Sequence, residues 1–394
     1  IRLYKDTINT NNHIKLGLLL PFRTSYYDTI PTNDIFQKKN KLVNIVSDFY
    51  LGAHLAIDSL QKQGLSVSLN VYDTGKKNTN IKKIVSDYNL NENDVLIGPL
   101  YADEAKTVAS SLNIPLVFPV YSKSQSSFKS PKIIKTLPDL HSYKEALISH
   151  IHQHYIGQNI VVVSDSIERL SGRLFETISQ LKQHDSIVNV TVIEPKEGYV
   201  EKELLTNALQ PDVENWVLLD TEDVVLVDGT FNSLISLPTE ADVEKLKEQE
   251  EEKEEPQEVT LKPLPEDTIV KVFSYRKGRA YDKIANSKLT TLNFTYGADA
   301  FKNDQQQIGS THFERKFIEK NHTYPSYYAI KGFDITYDVL MRMASGKELK
   351  ETFKEVSNRL ETKFQYDSMI FESSGNKGIY IVQFNEDFTL KSLE

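Results

Sequence analysis

VLIGPLYADEAKTVASSLNIPLVFPVYSK, residues 95–123, is the stretch whose reading decides the fold. It opens on a short apolar run (95–97), breaks at Gly98-Pro99, continues as a helix with small residues on one face (103–112) and ends in a second apolar run (116–120). Two short buried strands around one amphipathic helix make a strand-helix-strand unit, whose strands run parallel with both faces covered. In such sheets ligands sit beyond the carboxyl ends of the strands. Here those ends are Leu100-Tyr101-Ala102 and Tyr121-Ser122-Lys123.

The same alternation extends both ways. Upstream, residues 14–20 (IKLGLLL) read as a buried strand ended by Pro21, and residues 23–41 as a long loop of the functional or mobile kind. A helix follows, with Val46, Phe49, Ala53, Ile57 and Leu60 at three- and four-residue spacing, stopped by Gly64, and then an alternating strand over 67–73. The polar, Asn-rich residues 1–13 read as a tail or linker. Downstream, strands at 132–136, 159–164, 188–193 and 216–220 alternate with helices at 141–155, 171–182 and 201–209, and the apolar run 224–226 continues the series. This is a second doubly wound lobe. Strand character resumes at 269–275 and 289–296, residues 327–344 form an amphipathic helix, and 365–390 alternate around Gly375-Asn376-Lys377-Gly378, a hairpin signal.

Residues 238–268 break the pattern with EKLKEQEEEKEEPQE (244–258) between prolines. So few apolar side chains do not offset the entropy of ordering, so the segment reads as a solvated excursion or exposed charged helix outside any core. The alternative is a docking arm for a basic partner.

At 394 residues the chain exceeds what one core serves, and 39% hydrophobic and 10% aromatic residues suffice to fill two. A net charge of −9 excludes the basic face that replaces phosphate counterions on nucleic acid. No run approaches the roughly 20 apolar residues of a membrane span. The absence of cysteine excludes disulfides, thiol nucleophiles and cysteine metal sites. A chain opening at Ile1 without a leader reads as a mature or excised segment. In HIHQH (150–154) only His150 and His154 share a helical face, and without an HExxH pattern they read as a solvated face. Asp103 and Glu104, adjacent in a first helical turn, read as partners of the helix dipole. With no phosphate-cradling glycine loop and no GxSxG element, no catalytic residue, metal or cofactor is expected.

In order, IKLGLLLPF, FYLGAHLAIDSL, VYDT, LIGPLYADEAKTVASSLNIPLVFPV and YAIKGFDITYDVLMRMA resemble the elements of type I periplasmic binding proteins of the leucine/isoleucine/valine-binding class. The resemblance covers nearly the whole chain from about His13. Within that superfamily, GPLY before a small-residue helix and NKGIYIVQF near the end are most similar to binding-protein-like domains of bacterial envelope proteins. These include domains joined to LysM peptidoglycan-binding modules and the lipoprotein activators of penicillin-binding proteins. The resemblance implies an α/β fold of two doubly wound parallel-sheet lobes joined by a hinge of three crossings. The N-terminal lobe would hold 14–135 and 302–362, and the C-terminal lobe 136–301 and 363–394. A ligand would bind between lobes that close on it.

In amino-acid-binding members, small hydroxyl residues and backbone amides after the fourth and fifth strands hold the ligand carboxylate, and an acidic group in the second lobe holds its ammonium. The matching positions are Tyr101, Ala102 and Asp103, then Tyr121, Ser122 and Lys123, and only Ser122 keeps that chemistry. The second-lobe candidates are Arg169, Tyr199 and Tyr296, with Tyr296 where an acid would help bind an amine. The four tyrosines suit stacking on a sugar or muropeptide, or else pack the cleft walls with nothing bound. The resemblance therefore implies a non-catalytic envelope binding or scaffolding module, periplasmic or outer-membrane-associated, that engages a protein partner or peptidoglycan fragment. The alternative is a solute-binding protein of an ABC-type uptake system or receptor, closing on a small polar ligand.

Overall fold

The apolar runs become strands at the positions their neighbours allow. In the computed structural model, which describes residues 2–36, 41–165, 172–196, 198–253, 258–302 and 307–393, the first six are β1 (Arg2–Leu3), β2 (His13–Leu20), β3 (Ser66–Asp73), β4 (Val95–Ile97), β5 (Leu116–Phe118) and β6 (Ile133–Lys135). Then come β7 (Asn159–Ser164), β8 (Thr191–Ile193), β9 (Asn215–Asp220), β10 (Val270–Arg276) and β11 (Thr295–Ala298). The last are β12 (Glu355–Asn358), β13 (Lys363–Phe364), β14 (Ser374–Gly375), β15 (Tyr380–Phe384) and β16 (Leu390–Ser392). Among the helices between them are α1 (Leu42–Lys62), α2 (Ala102–Ala109), α3 (Leu140–His154), α4 (Arg173–Leu181), α5 (Glu240–Glu251), α6 (Gln307–Asn321) and α7 (Tyr327–Ala344).

These elements form two units. Unit 1 is Ile1–Ser142 with Asp299–Ile379, unit 2 is Tyr143–Ala298 with Tyr380–Glu394, and the chain passes from one to the other three times.

Unit 1 carries a six-stranded sheet in the order β14-β6-β5-β4-β2-β3, every neighbouring pair parallel. Helices cover both of its faces, as an all-parallel sheet requires. On one side Leu16 and Leu18 of β2 pack with Val46 and Phe49 of α1 and Val339 of α7. On the other, Leu19 and Leu96 pack with Ala105 and Val108 of α2. α1 and α7 press together at two glycines, since a Cβ added at Gly52 would lie 1.9 Å from the Ala329 carbonyl oxygen and one at Gly332 would lie 2.2 Å from that of Phe49.

Unit 2 holds a seven-stranded sheet in the order β16-β15-β11-β10-β9-β7-β8. It is parallel from β8 to β11, and antiparallel β15 and β16 close one edge. Val162, Leu218 and Phe273 of the sheet meet Leu147 of α3 and Leu174 of α4 in its core, with Trp216 alongside.

Several sequence expectations change here. Residues 2–12 are pinned rather than a tail: β1 pairs parallel with β12, the Asn9 N–H donates to the Ala344 carbonyl (2.9 Å), and the Tyr4 ring lies 5.0 Å from the Arg342 guanidinium. The run at 224–226 opens a helix, Val224–Ile235, because Asp223 caps it by accepting from the Val225 and Leu226 N–H groups. Residues 286–291 are also helical, so the strand expected over 289–296 begins only at Thr295. The Gly375–Gly378 turn makes no hairpin: β14 pairs with β6 and β15 with β11, in different sheets. Its Asn376 amide donates to the Thr136 and Lys363 carbonyls, and a Cβ at Gly378 would meet the Lys363 carbonyl oxygen at 2.1 Å. Residues 363–379 accordingly belong to unit 1. Within 238–268, α5 starts at a Thr239/Asp242 capping box and buries Val243, while Leu264 is buried with its N–H on the Pro238 carbonyl.

A buried ion network fastens α7 to the strands that follow it. Arg342 donates to Asp338 (2.8 Å), the Thr352 carbonyl (2.8 Å) and Ser357 Oγ (2.8 Å), and Ser357 Oγ donates to Asp338 Oδ1 (2.5 Å). Arg359 bridges Asp338 (2.9 Å) and Asp6 (2.9 Å), which brings the N-terminal segment into the same network. Burial opposes a charged Asp338, but Arg342 and Arg359 beside it hold its carboxyl below the ordinary range.

Candidate functional site

The carboxyl ends of the parallel strands are where this architecture presents side chains and loop amides to a ligand. In unit 1, adjacent strands β4 and β5 bring Tyr101 to one strand end and Tyr121 and Ser122 to the next. Gly98 follows β4 directly, its φ of +95° suits glycine, and a Cβ there would lie 2.1 Å from the Leu19 carbonyl oxygen. Tyr101 stands immediately before α2. The Tyr101 ring lies 5.9 Å from the Lys77 ammonium. Tyr121 is 37% exposed. The Ser122 hydroxyl sits 3.0 Å from Ser124 Oγ and accepts from the Ser124 N–H (3.3 Å), so it serves its own turn.

Asp103 and Glu104 divide in a way their adjacency conceals. Asp103 faces Lys77 at 3.5 Å, whereas Glu104 is fully buried, with the Asn78 N–H on Oε1 (2.7 Å) and no hydrogen-bond partner for Oε2 among the described residues. Burial raises the Glu104 pKa against the pull of that N–H. At the end of β3, Asp73 accepts from the Arg23 and Thr24 N–H groups (2.9 and 2.8 Å), Thr24 Oγ1 (2.8 Å) and the Gly75 N–H (2.9 Å). Burial works to raise its pKa, but the donated hydrogen bonds prevail and lower it. The start of the 23–41 loop, which opens with the helical turn Thr24–Tyr27, is thereby tied to a strand end.

In unit 2 the expected residues separate. Arg169 lies outside the described residues. Tyr199 is 49% exposed and follows edge strand β8, while Tyr296 lies on β11, four places away across the sheet. The Tyr296 ring stacks on Phe294 (5.3 Å, 19°) beside Phe384, within an aromatic cluster that includes Tyr281 and Phe231, and burial pushes its pKa to about 12. Its ring therefore packs in unit 2 rather than standing free for a ligand.

The chemistry-bearing group in unit 2 is one that sequence reasoning missed, at the ends of β7 and β9. Arg173, first residue of α4, pairs with Asp165 and Asp220 (3.1 Å to the latter) and donates to the Asp220 carbonyl (2.7 Å). Thr221 Oγ1 donates to Asp165 (2.9 Å), and Thr177 Oγ1 lies 2.9 Å from the Tyr275 hydroxyl. Lys144 of α3, itself buried, reaches Glu176 at 3.1 Å. Asp220 is 1% exposed, and burial raises its pKa although Arg173 and Lys144 pull it down. Desolvation likewise drives the Tyr275 hydroxyl far up. Titratable groups perturbed by burial and by a charge partner at strand ends mark a candidate functional position in α/β sheets. The available signal was Asp220 itself, an acid closing the apolar strand WVLLD, which sequence reading took only as a strand end.

His150 and His154 do share a face, with ring centroids 4.2 Å apart, and burial first, then His154, lowers the His150 pKa to about 4. No group of three or more metal-ligating side chains occurs among the described residues.

No family model matches the chain, and no curated protein is significantly similar to it in sequence. Solved structures do match. A branched-chain amino acid ABC transporter protein from Rhodospirillum rubrum has a TM-score of 0.59 at 9% identity, over 97% of this chain and 100% of that one. The chain has the type I periplasmic-binding-protein fold. A second structure with this fold is a branched-chain amino acid ABC transporter periplasmic ligand-binding protein from Burkholderia xenovorans, with a TM-score of 0.51 and 10% identity over 97% and 95% of the two chains. A third is full-length LpoA from Haemophilus influenzae, with a TM-score of 0.52 and 10% identity, where 98% of this chain covers 60% of LpoA. Transporter components and LpoA are thus both among the structures that share this fold.

Proposed function

We propose that this chain is a non-catalytic binding or scaffolding module of the bacterial cell envelope, engaging a protein partner or a cell-wall fragment rather than free amino acids. The observation that carries this reading is the state of the charges at the unit 2 strand ends. An acid is present there, Asp220, but Arg173 already engages it, so it offers no free carboxylate for a ligand ammonium. Tyr296 is committed to packing, and the Ser122 hydroxyl to its own turn. Tyr121 and Tyr199 are 37% and 49% exposed and carry rings with an apolar face and a polar tip, the kind that stack on sugar rings. The proposed location is periplasmic or outer-membrane-associated, as for an envelope module. No helix among the described residues is long and apolar enough to cross a membrane.

Thermal unfolding with added muropeptides, free leucine and glucose, together with co-sedimentation on purified peptidoglycan, tests the reading. A ligand at about 100 times its Kd stabilises the folded state by about 2.7 kcal/mol, which for a domain of this size raises Tm by roughly 5–11 °C. Muropeptides or sacculi are expected to produce binding and leucine none. A leucine shift of that size overturns the reading in favour of the second one, a solute-binding protein for uptake, which the transporter proteins among the structural neighbours favour.

A further inference from the structure

Unit 1 has a cavity that no residue of its six-stranded sheet lines. It lies among α1, α6, α7 and the segment from Asn358 to Leu360, with a volume of about 410 Å³, within the roughly 300–1,000 Å³ of small-molecule pockets. Its floor is apolar: Leu55 comes from α1, Phe313 from α6, and Phe333 and Tyr337 from α7. The rings form a continuous surface, with Phe313 and Phe333 centroids 4.8 Å apart and Phe333 stacked on Tyr337 at 5.5 Å and 17°.

The charge on its walls is of one sign. Lys62, Lys316 and Arg359 line it, and no acidic residue does. Arg359 is neutralised by Asp338 and Asp6. Among the described residues no acid lies in ion-pair range of the two lysines: Asp58, on which Lys62 acts only at longer range, pairs with Lys320, Glu314 pairs with Lys302 and Glu319 lies nearest Arg315. Two ammonium groups with no ion pair among the described residues, beside an aromatic floor in a chain whose net charge is −9, form a local positive field at an apolar slot.

We propose that this cavity binds a small amphipathic anion, a carboxylate or phosphate on a ring or medium-length acyl chain. The apolar part lies on Phe313, Phe333 and Tyr337, and the head pairs with Lys62 and Lys316. The site is separate from the strand ends and independent of what binds there.

Calorimetric titration of the whole chain with decanoate, decyl phosphate, decyltrimethylammonium and decyl maltoside, each below its micellar concentration, tests it. One anion per chain is expected, bound at least tenfold more tightly than the neutral or cationic probe; which of the two anions binds better identifies the head group. Lys62→Glu/Lys316→Glu should lose at least tenfold in affinity with an unchanged unfolding midpoint. Gly309→Phe should abolish binding by filling the pocket, since a Cβ at Gly309 has only the Leu360 side chain near it, at 3.8 Å. If the double variant fails to fold, Gly309→Phe alone decides. Failure of both anions to bind, equal affinity for the uncharged probe, or undiminished binding by folded Gly309→Phe overturns the proposal.

Discussion

Replacing Asp338 with alanine tests whether unit 1 depends on its buried ion network. The Asp338 carboxylate is 0% exposed and neutralises Arg342, also 0% exposed, and Arg359, whose side chain is 7% exposed. Without it, Arg342 keeps only neutral acceptors, and Arg359 keeps Asp6, whose side chain is 42% exposed. Stripping one partner from a buried ion pair costs about 3–5 kcal/mol, a large part of the 5–15 kcal/mol typical of a domain. At about 2–4 °C per kcal/mol, the midpoint should fall by roughly 6–20 °C. Trp216, the sole tryptophan, belongs to unit 2, so its fluorescence reports that unit, and amide hydrogen exchange along α7 and β12 reports unit 1. The exchange protection of α7 should drop by the same free energy. Asp338→Leu/Arg342→Met, which removes both buried charges and leaves Arg359 with Asp6, should be less destabilised than Asp338→Ala, because an uncompensated charge dominates the cost. A loss under about 1 kcal/mol in the single variant, or a double variant worse than the single, would refute this account of the network.

Four further outcomes follow from the same geometry. Gly332→Ala should destabilise unit 1 by about 1–3 kcal/mol despite alanine's helix advantage of about 1 kcal/mol, because the new Cβ meets the Phe49 carbonyl oxygen at 2.2 Å; a raised Tm in calorimetry contradicts it. Gly98→Ala forces a Cβ onto the Leu19 carbonyl at φ +95° and should cost a similar amount by urea denaturation, with wild-type stability sinking the reading of that strand end. Asp73 has a lowered pKa, so its contribution is complete above the ordinary carboxylate value of about 3.9 and is lost as pH falls through its folded value. Asp73→Asn should therefore flatten the acid limb of a Tm-against-pH profile and speed exchange of the Arg23 and Thr24 amides, and a parallel acid limb counts against it. Val243→Ala should cost unit 2 about 1–2 kcal/mol by chemical denaturation, because Val243 is 3% exposed and is the residue α5 buries; no loss would return the acidic segment to a purely solvated excursion.

What was legible in the sequence was what depends on local periodicity. Apolar runs alternating with 3.6-residue patterns gave the strand-helix series, the parallel sheets and the two-lobed class, because an apolar strand flanked by amphipathic helices has few ways to bury both faces. Long-range partners were not legible. Residues 2–12 are too polar to announce a strand, yet β12 supplies a free edge and Arg359 supplies the counter-charge for Asp6. The Asn376-Lys377 turn has hairpin chemistry, but the strands on either side pair in different sheets.

The candidate site divides along the same line. The sequence by itself assigned Tyr101, Tyr121 and Ser122 to the segments after two strands, and those strands, β4 and β5, are neighbours in the sheet. Only the tertiary structure decided that Tyr296 packs against Phe294, that Asp220 is desolvated and held by Arg173, and that Lys62 and Lys316 flank one aromatic pocket. Pairing and desolvation are set by neighbours distant in the chain: 47 residues separate Arg173 from Asp220. Local propensity selects the elements, and the packing between them selects which side chains remain available for chemistry.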